Sequence, residues 1–181
     1  NDIFTPLIGI IIGVVVVLAI ALIAWWIGTR NDFVRLKNKV EEAWATIDVY
    51  LKKRYDLIPN LVETVKGYAK HESEAIKQVS DARAKMMGAR SVASTAEADR
   101  SMLGALSRIM AVSESYPELK ANENFKKLMS EFSDTEDKIQ AARRFYNSGA
   151  KELNAKIKTF PTNIINKMVG HFKKREYYEV A

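Results

Sequence analysis

Cysteine is absent, histidine occurs twice, and proline and glycine supply only four and eight of the 181 residues. Without a thiol there is no disulfide scaffold, thiolate metal site, cysteine nucleophile or lipoprotein cysteine. So little proline and glycine argues against turn-rich β architectures and low-complexity linkers. There is no Gly-rich phosphate loop and no Gly-x-Ser-x-Gly elbow. Charge of one sign is lacking too. The net +6 comes from 28 basic and 22 acidic residues interleaved along the chain. That pattern is a solvated mixed surface rather than a nucleic-acid footprint.

One near-motif needs weighing. His71-Glu72-Ser73-Glu74-Ala75 opens like His-Glu-x-x-His, but alanine stands where the second zinc ligand would be. His171 is a hundred residues away, so His71 reads as a solvated side chain. The carboxylate pairs Glu41/Glu42 and Glu136/Asp137 flank basic residues on helix surfaces and suggest no shielded acid and base. The expectation is a non-enzymatic protein with no cofactor, no metal and no nucleic-acid partner.

What the chain does have is one long apolar run. Leu7 to Ile27 holds 21 residues without a charge, fourteen of them Leu, Ile or Val. As a helix it spans about 31 Å, the thickness of a bilayer's hydrocarbon core. Insertion is favoured by several kcal/mol on translocation scales, each Leu, Ile or Val contributing about 0.3–0.6 kcal/mol. Ala19-Ile20-Ala21 has the small-x-small look of a cleavage site, but the apolar run continues past it and no basic segment precedes it. A retained single-pass anchor is expected, with membrane lipids as its partners. Trp25, Trp26 and Arg30 mark its interfacial end, and Gly9 and Gly13 form a Gly-x-x-x-Gly pair suited to close helix packing. Arg30, Arg35, Lys37 and Lys39 follow the run and no Lys or Arg precedes it. The positive-inside rule therefore places the remainder in the cytoplasm. Residues 1–29 read as the N-terminal segment with the transmembrane helix, and 30–181 as one domain.

Beyond Arg30, Phe33, Leu36, Val40, Trp44, Ile47, Leu51, Tyr55, Ile58, Val62, Val65 and Ala69 step by three or four, the stripe of an amphipathic helix. The phase is unbroken across Pro59, which predicts a kinked helix rather than a stop. Ile76, Val79, Ala82 and Met86 continue the stripe to about Gly88, and residues 88–95 read as a loop. A capping box at Ser94-x-x-Glu97 would start a second helix ending before Pro117, and Asn122 would cap a third that Pro161 stops. A short helix near 163–169 and a basic, tyrosine-containing tail follow, the tail either frayed or touching lipid or another subunit. The fold class is all-α: a transmembrane helix followed by an antiparallel bundle of long helices.

Two charged clusters interrupt the stripes, Arg54 with Asp56 beside the proline, and Arg143-Arg144 before Phe145 and Tyr146. The bland reading is exposed heads on snorkelling stems. The sharper one is an ion pair with a carboxylate on a facing helix that fixes register.

Four strings then carry a family resemblance: RYDLIPNLVETVKGYAKHE from Arg54, YPELKANENF from Tyr116, TEDKIQAARRFYN from Thr135 and FPTN from Phe160. With the anchor in front, the chain from about Phe33 to Tyr178 resembles the LemA family of bacterial membrane proteins. The resemblance implies a single-pass protein of the bacterial cytoplasmic (inner) membrane with a helical bundle, and it brings no catalytic residues. The expected function is a membrane-anchored scaffold that self-assembles into a homo-oligomer through its long helices and organises or shapes the membrane. The alternative is a regulatory adaptor whose protein partner is a membrane protease or signalling protein.

Overall fold

A computed structural model describes residues 2–170 and 172–178; His171 and Glu179–Ala181 lie outside the described residues. Among the described residues six α-helices follow one another: α1 Phe4–Ala69, α2 Ser73–Gly88, α3 Val92–Ser113, α4 Pro117–Ala121, α5 Glu123–Lys158 and α6 Thr162–Ile165. The last continues into a π-helical turn, Asn166–Gly170. Among the described residues there is no strand. Residue contacts divide the chain into two compact units. One takes α1 up to Lys39 with Lys151–Arg175, the other Val40–Ala150 with the chain from Glu176 onward.

The second unit is a helical bundle built from α1 beyond Lys39, α2, α3, α4 and α5 up to Ala150. α1 does not stop at Pro59. A proline inside a helix cannot donate to the carbonyl four residues back, here that of Tyr55. Arg83 on α2 fills the gap, its Nε donating to the Tyr55 oxygen at 3.0 Å. Leaving that carbonyl unpaired would cost about 1 kcal/mol or more. Arg83→Ala should therefore destabilise the bundle in the wild-type chain but much less in Pro59→Ala, where a restored amide serves the same oxygen. Chemical denaturation of the four chains of that double-mutant cycle measures the difference. Additive losses would show that the tie carries no energy. Pro59→Ala alone should leave helicity by circular dichroism unchanged.

The expected helix through Met86 is two helices. α1 ends at Ala69, and the Glu72 amide turns back to the Ala69 carbonyl at 3.0 Å. The stripe keeps phase across this break because α2 buries Ile76, Val79 and Ala82 in the same core as Ile58, Leu61 and Val65. Both helices need an inward face toward one core, and phase alone does not reveal the reversal. The expected capping box is also displaced. Ser91 caps α3, its side chain accepting from the Ser94 amide while Ser94 accepts from the Ser91 amide. Asn122 caps α5 as its position predicts, Oδ1 accepting from the Phe125 amide at 2.9 Å.

The bundle interior has two apolar layers. Ile58, Leu61, Val65, Met102, Ile109, Phe125 and Phe132 belong to one. Val40, Ile47, Leu51, Met86, Ile139, Tyr146 and Tyr178 belong to the other. At about 25 cal/mol per Å² of apolar surface buried, these layers are the main source of stability.

The first unit has a smaller core of Phe33, Leu36 and Leu153, with Ile157 and Phe172 against it. The Phe33 and Phe172 rings stack, centroids 5.2 Å apart. Lys156 reaches Asp32 at 3.1 Å. Asn154 clamps the returning chain through both amide atoms, donating to the Arg175 carbonyl and accepting from its N–H. The returning chain is therefore tied down at Phe172 and Arg175. α1 from its start to Trp25 leaves every side chain exposed. It is the one described helix long and apolar enough to cross a membrane.

Candidate functional site

The boundary between the two apolar layers is polar. On α1, Leu51 belongs to one layer and Ile58 to the other; Arg54 lies between them and is 1% exposed. On α3, Asp99 separates Ala98 from Met102, and on α5, Glu136 separates Phe132 from Ile139. Helical spacing of three or four thus brings one guanidinium and two carboxylates to one level. Arg54 Nη1 donates to Asp99 Oδ1 and Nη2 to Glu136 Oε2. The Tyr178 hydroxyl donates to the second Asp99 oxygen at 3.1 Å, and Gln140 Nε2 donates to Glu136 Oε1. Arg54 Nε is buried without a partner among the described residues.

The electrostatics follow from burial. Desolvation raises the Asp99 carboxyl above its ordinary range, and Glu136 adds to this, while Arg54 and the Tyr178 hydrogen bond oppose it. Burial, reinforced by the Asp99 charge, pushes the Tyr178 phenol far above its usual value, so it remains a donor. One cation facing two carboxylates leaves a formal excess of one negative charge, shared with a phenol and an amide. Apart from Arg54 Nε, the donors and acceptors named here are spent on one another. Its chemistry is specification of which helix faces meet, and at which level.

Tyr178 is held from three sides. Its ring packs near Trp44, which also touches Tyr146. Asn147 accepts from the Tyr178 amide and donates to its carbonyl, both at 2.8 Å. The Tyr146 hydroxyl donates to the Glu176 carbonyl at 2.7 Å.

The other residues singled out by sequence are placed differently. Asp56 and Arg144 are exposed and Arg143 half-buried, and among the described residues none of the three makes an ion pair. Gly9 and Gly13 have nothing within 4 Å of where a Cβ would stand. Trp25 and Arg30 are exposed and Trp26 is half-buried. His71 is exposed in the turn after α1, and Glu72 accepts from the Tyr116 hydroxyl at 3.2 Å. No cluster of metal-ligating side chains occurs among the described residues. Sequence reasoning does not single out Asp99 or Gln140, places Glu136 on a helix surface where the structure half-buries it against Arg54, and leaves Tyr178 in the tail where the structure buries it on Asp99. Asp99 was within reach, since stepping the α3 stripe back three residues from Met102 lands on it.

The model of the LemA family matches residues 43–181, the stretch carrying the ionic layer and the returning C-terminal segment. The chain belongs to the LemA family. It is 29% identical over 161 residues to Protein LemA of Metamycoplasma hominis, covering 86% of this chain and 69% of that protein. It is 26% identical over 186 residues to Magnetosome protein MamQ 2 of Paramagnetospirillum magneticum, covering 88% and 68%. With its exposed apolar helix, this LemA-family chain is a membrane-associated protein.

Proposed function

We propose that this LemA-family protein is a non-enzymatic scaffold of the bacterial cytoplasmic membrane, crossing the bilayer once and associating with further copies of itself through the outer faces of its bundle. The observation that carries this reading is a groove between α1 and α5 within the bundle. Ala43, Thr46, Ala141 and Ala142 make it shallow, and Tyr50 and Phe145 flank it. Phe145 is 50% exposed, and Val49, on the same face of α1 as Thr46, is 63% exposed. Alanines let a second helix approach closely, and the neighbouring aromatics offer it apolar area. Lipid tails compete with apolar side chains, and one interhelical polar contact in a membrane is worth only about 1 kcal/mol, so the open Gly9/Gly13 face would add to a bundle contact rather than replace it. Confinement to a membrane raises effective concentration and favours closed assemblies.

Sedimentation in mild detergent tests the reading. The wild-type chain should run as a multimer. Ala141→Glu and Val49→Glu, both at exposed positions, should run as monomers with unchanged helicity, and Gly9→Leu should only loosen the assembly. A wild-type monomer at every concentration sinks the scaffold. If that monomer carries a helix of another protein in the same groove, the adaptor reading replaces it. Orientation follows the basic flank of the span, with the bundle in the cytoplasm. In intact cells Gly88→Cys should resist a membrane-impermeant thiol reagent, and labelling from outside would reverse the orientation.

A further inference from the structure

We infer that the segment from Phe160 to Lys174 is a second membrane contact, lying in the interface beside the span and taking anionic lipid headgroups. This rests on α1 crossing the bilayer. Met168, in the π-helical turn, lines an apolar groove with Leu22, Ile23, Trp25 and Trp26. Arg30 is the first charge after the apolar run, and Leu22 precedes it by about 12 Å of helix at 1.5 Å per residue. A side chain packed at the level of Leu22 and Ile23 is therefore at the edge of the hydrocarbon when α1 spans the membrane.

The same segment turns further apolar side chains outward at a spacing of four. Phe160 is 74%, Ile164 42% and Met168 71% exposed. Single exposed apolar residues are ordinary. Ile164 in α6 and Met168 in the π turn lie about one turn apart, the second beside a lipid-level surface, and Phe160 adds an exposed ring in the turn before α6. α6 and its π turn cover Thr162–Gly170, too short to cross a bilayer that needs about 20 helical residues. Such a face is buried by lying in the interface plane.

Charge selects the lipid. From Thr159 to Arg175 there is no acidic residue, and Lys167, Lys173 and Lys174 are exposed, as is Arg30. The nearby acid, Asp32, is engaged by Lys156 and Arg35. Basic groups at the membrane surface draw anionic headgroups. The Phe172 stack on Phe33 and the Asn154 clamp on Arg175 hold the segment's far end in place.

The natural absence of cysteine makes the test clean. Met168→Cys, Leu22→Cys and Gly88→Cys full-length chains would each carry an environment-sensitive nitrobenzoxadiazole label. They would be reconstituted in phosphatidylcholine/phosphatidylglycerol vesicles containing lipids with doxyl groups on their acyl chains. The label at residue 168 should be blue-shifted and quenched on the same scale as at residue 22, while residue 88 stays water-like and unquenched. Quenching at 22 with a water-like, unquenched signal at 168 overturns this inference and leaves the span intact. A blue shift at 168 without lipid quenching assigns the face to protein, and also overturns it. Absence of quenching at 22 sinks the spanning reading itself.

Discussion

Replacing Arg54 with methionine should lower the free energy of unfolding by about 3–5 kcal/mol, the range seen when one partner of a buried ion pair is removed. Methionine roughly keeps the length and fills the space. What it removes is the positive charge that pairs with both Asp99 and Glu136. The deficit should shrink as the pH is lowered, because protonation relieves the buried Asp99 carboxylate. Asp99→Asn should behave differently. Glu136 still balances Arg54, and the asparagine can accept from Arg54 at its one oxygen while its NH2 donates to the Tyr178 hydroxyl oxygen. Burial raises the Asp99 pKa in the folded state. Its contribution to stability is therefore present below the unfolded carboxylate range and is lost as pH rises through the folded value. Where it is ionised the group is a net cost, so above the unfolded carboxylate range Asp99→Asn should hold or raise stability and flatten its pH dependence. Urea titrations of both variants at neutral and mildly acidic pH decide the matter. An Asp99→Asn loss as large as that of Arg54→Met would show that the Asp99 charge is needed for more than balance.

The second large effect is at Tyr178. Truncation to alanine removes an aromatic ring that is 2% exposed and packed near Trp44. It also takes the donor from an Asp99 oxygen. Large-to-small core changes of this kind cost about 3–5 kcal/mol. Tyr178→Phe keeps the ring and loses only the hydroxyl, for about 1–3 kcal/mol as the Asp99 oxygen goes unpaired. Thermal unfolding of the two variants should rank them in that order. Equal losses would mean that the ring contributes nothing beyond its hydroxyl.

Much of the fold could be read from spacing, and the misreadings have one cause. The stripes on α1, α3 and α5 were traced by apolar residues alone. Between Leu51 and Ile58, both Arg54 and Tyr55 satisfy a step of three or four, and hydropathy favours the tyrosine. The structure buries Arg54 and leaves Tyr55 half-buried. Four residues beyond Phe132, Glu136 fits the α5 face as well as any apolar side chain would. A buried charge is tolerated only when its partners are in place, and those partners come from helices 45 and 82 residues away. No local pattern reports them. Arg143 has the same local appearance as Arg54, yet among the described residues it meets no carboxylate. The Lys70–Glu72 break escaped for a related reason, since two helices sharing one core keep a common phase.

The proline in α1 has a consequence for how the molecule comes apart. A helix normally carries its own ladder, so losing a neighbour leaves its backbone paired. Here one rung is supplied from outside, by Arg83. Detachment of α2 exposes an unpaired carbonyl in the middle of α1, near Tyr55, at the point where the proline already lacks a donor. Opening of α2 and local melting of the Tyr55–Pro59 turn are thus a single cooperative event, a small unit of partial unfolding within the larger helix. Amide exchange at the neighbouring Leu57 and Ile58 should follow the opening of α2 rather than global unfolding.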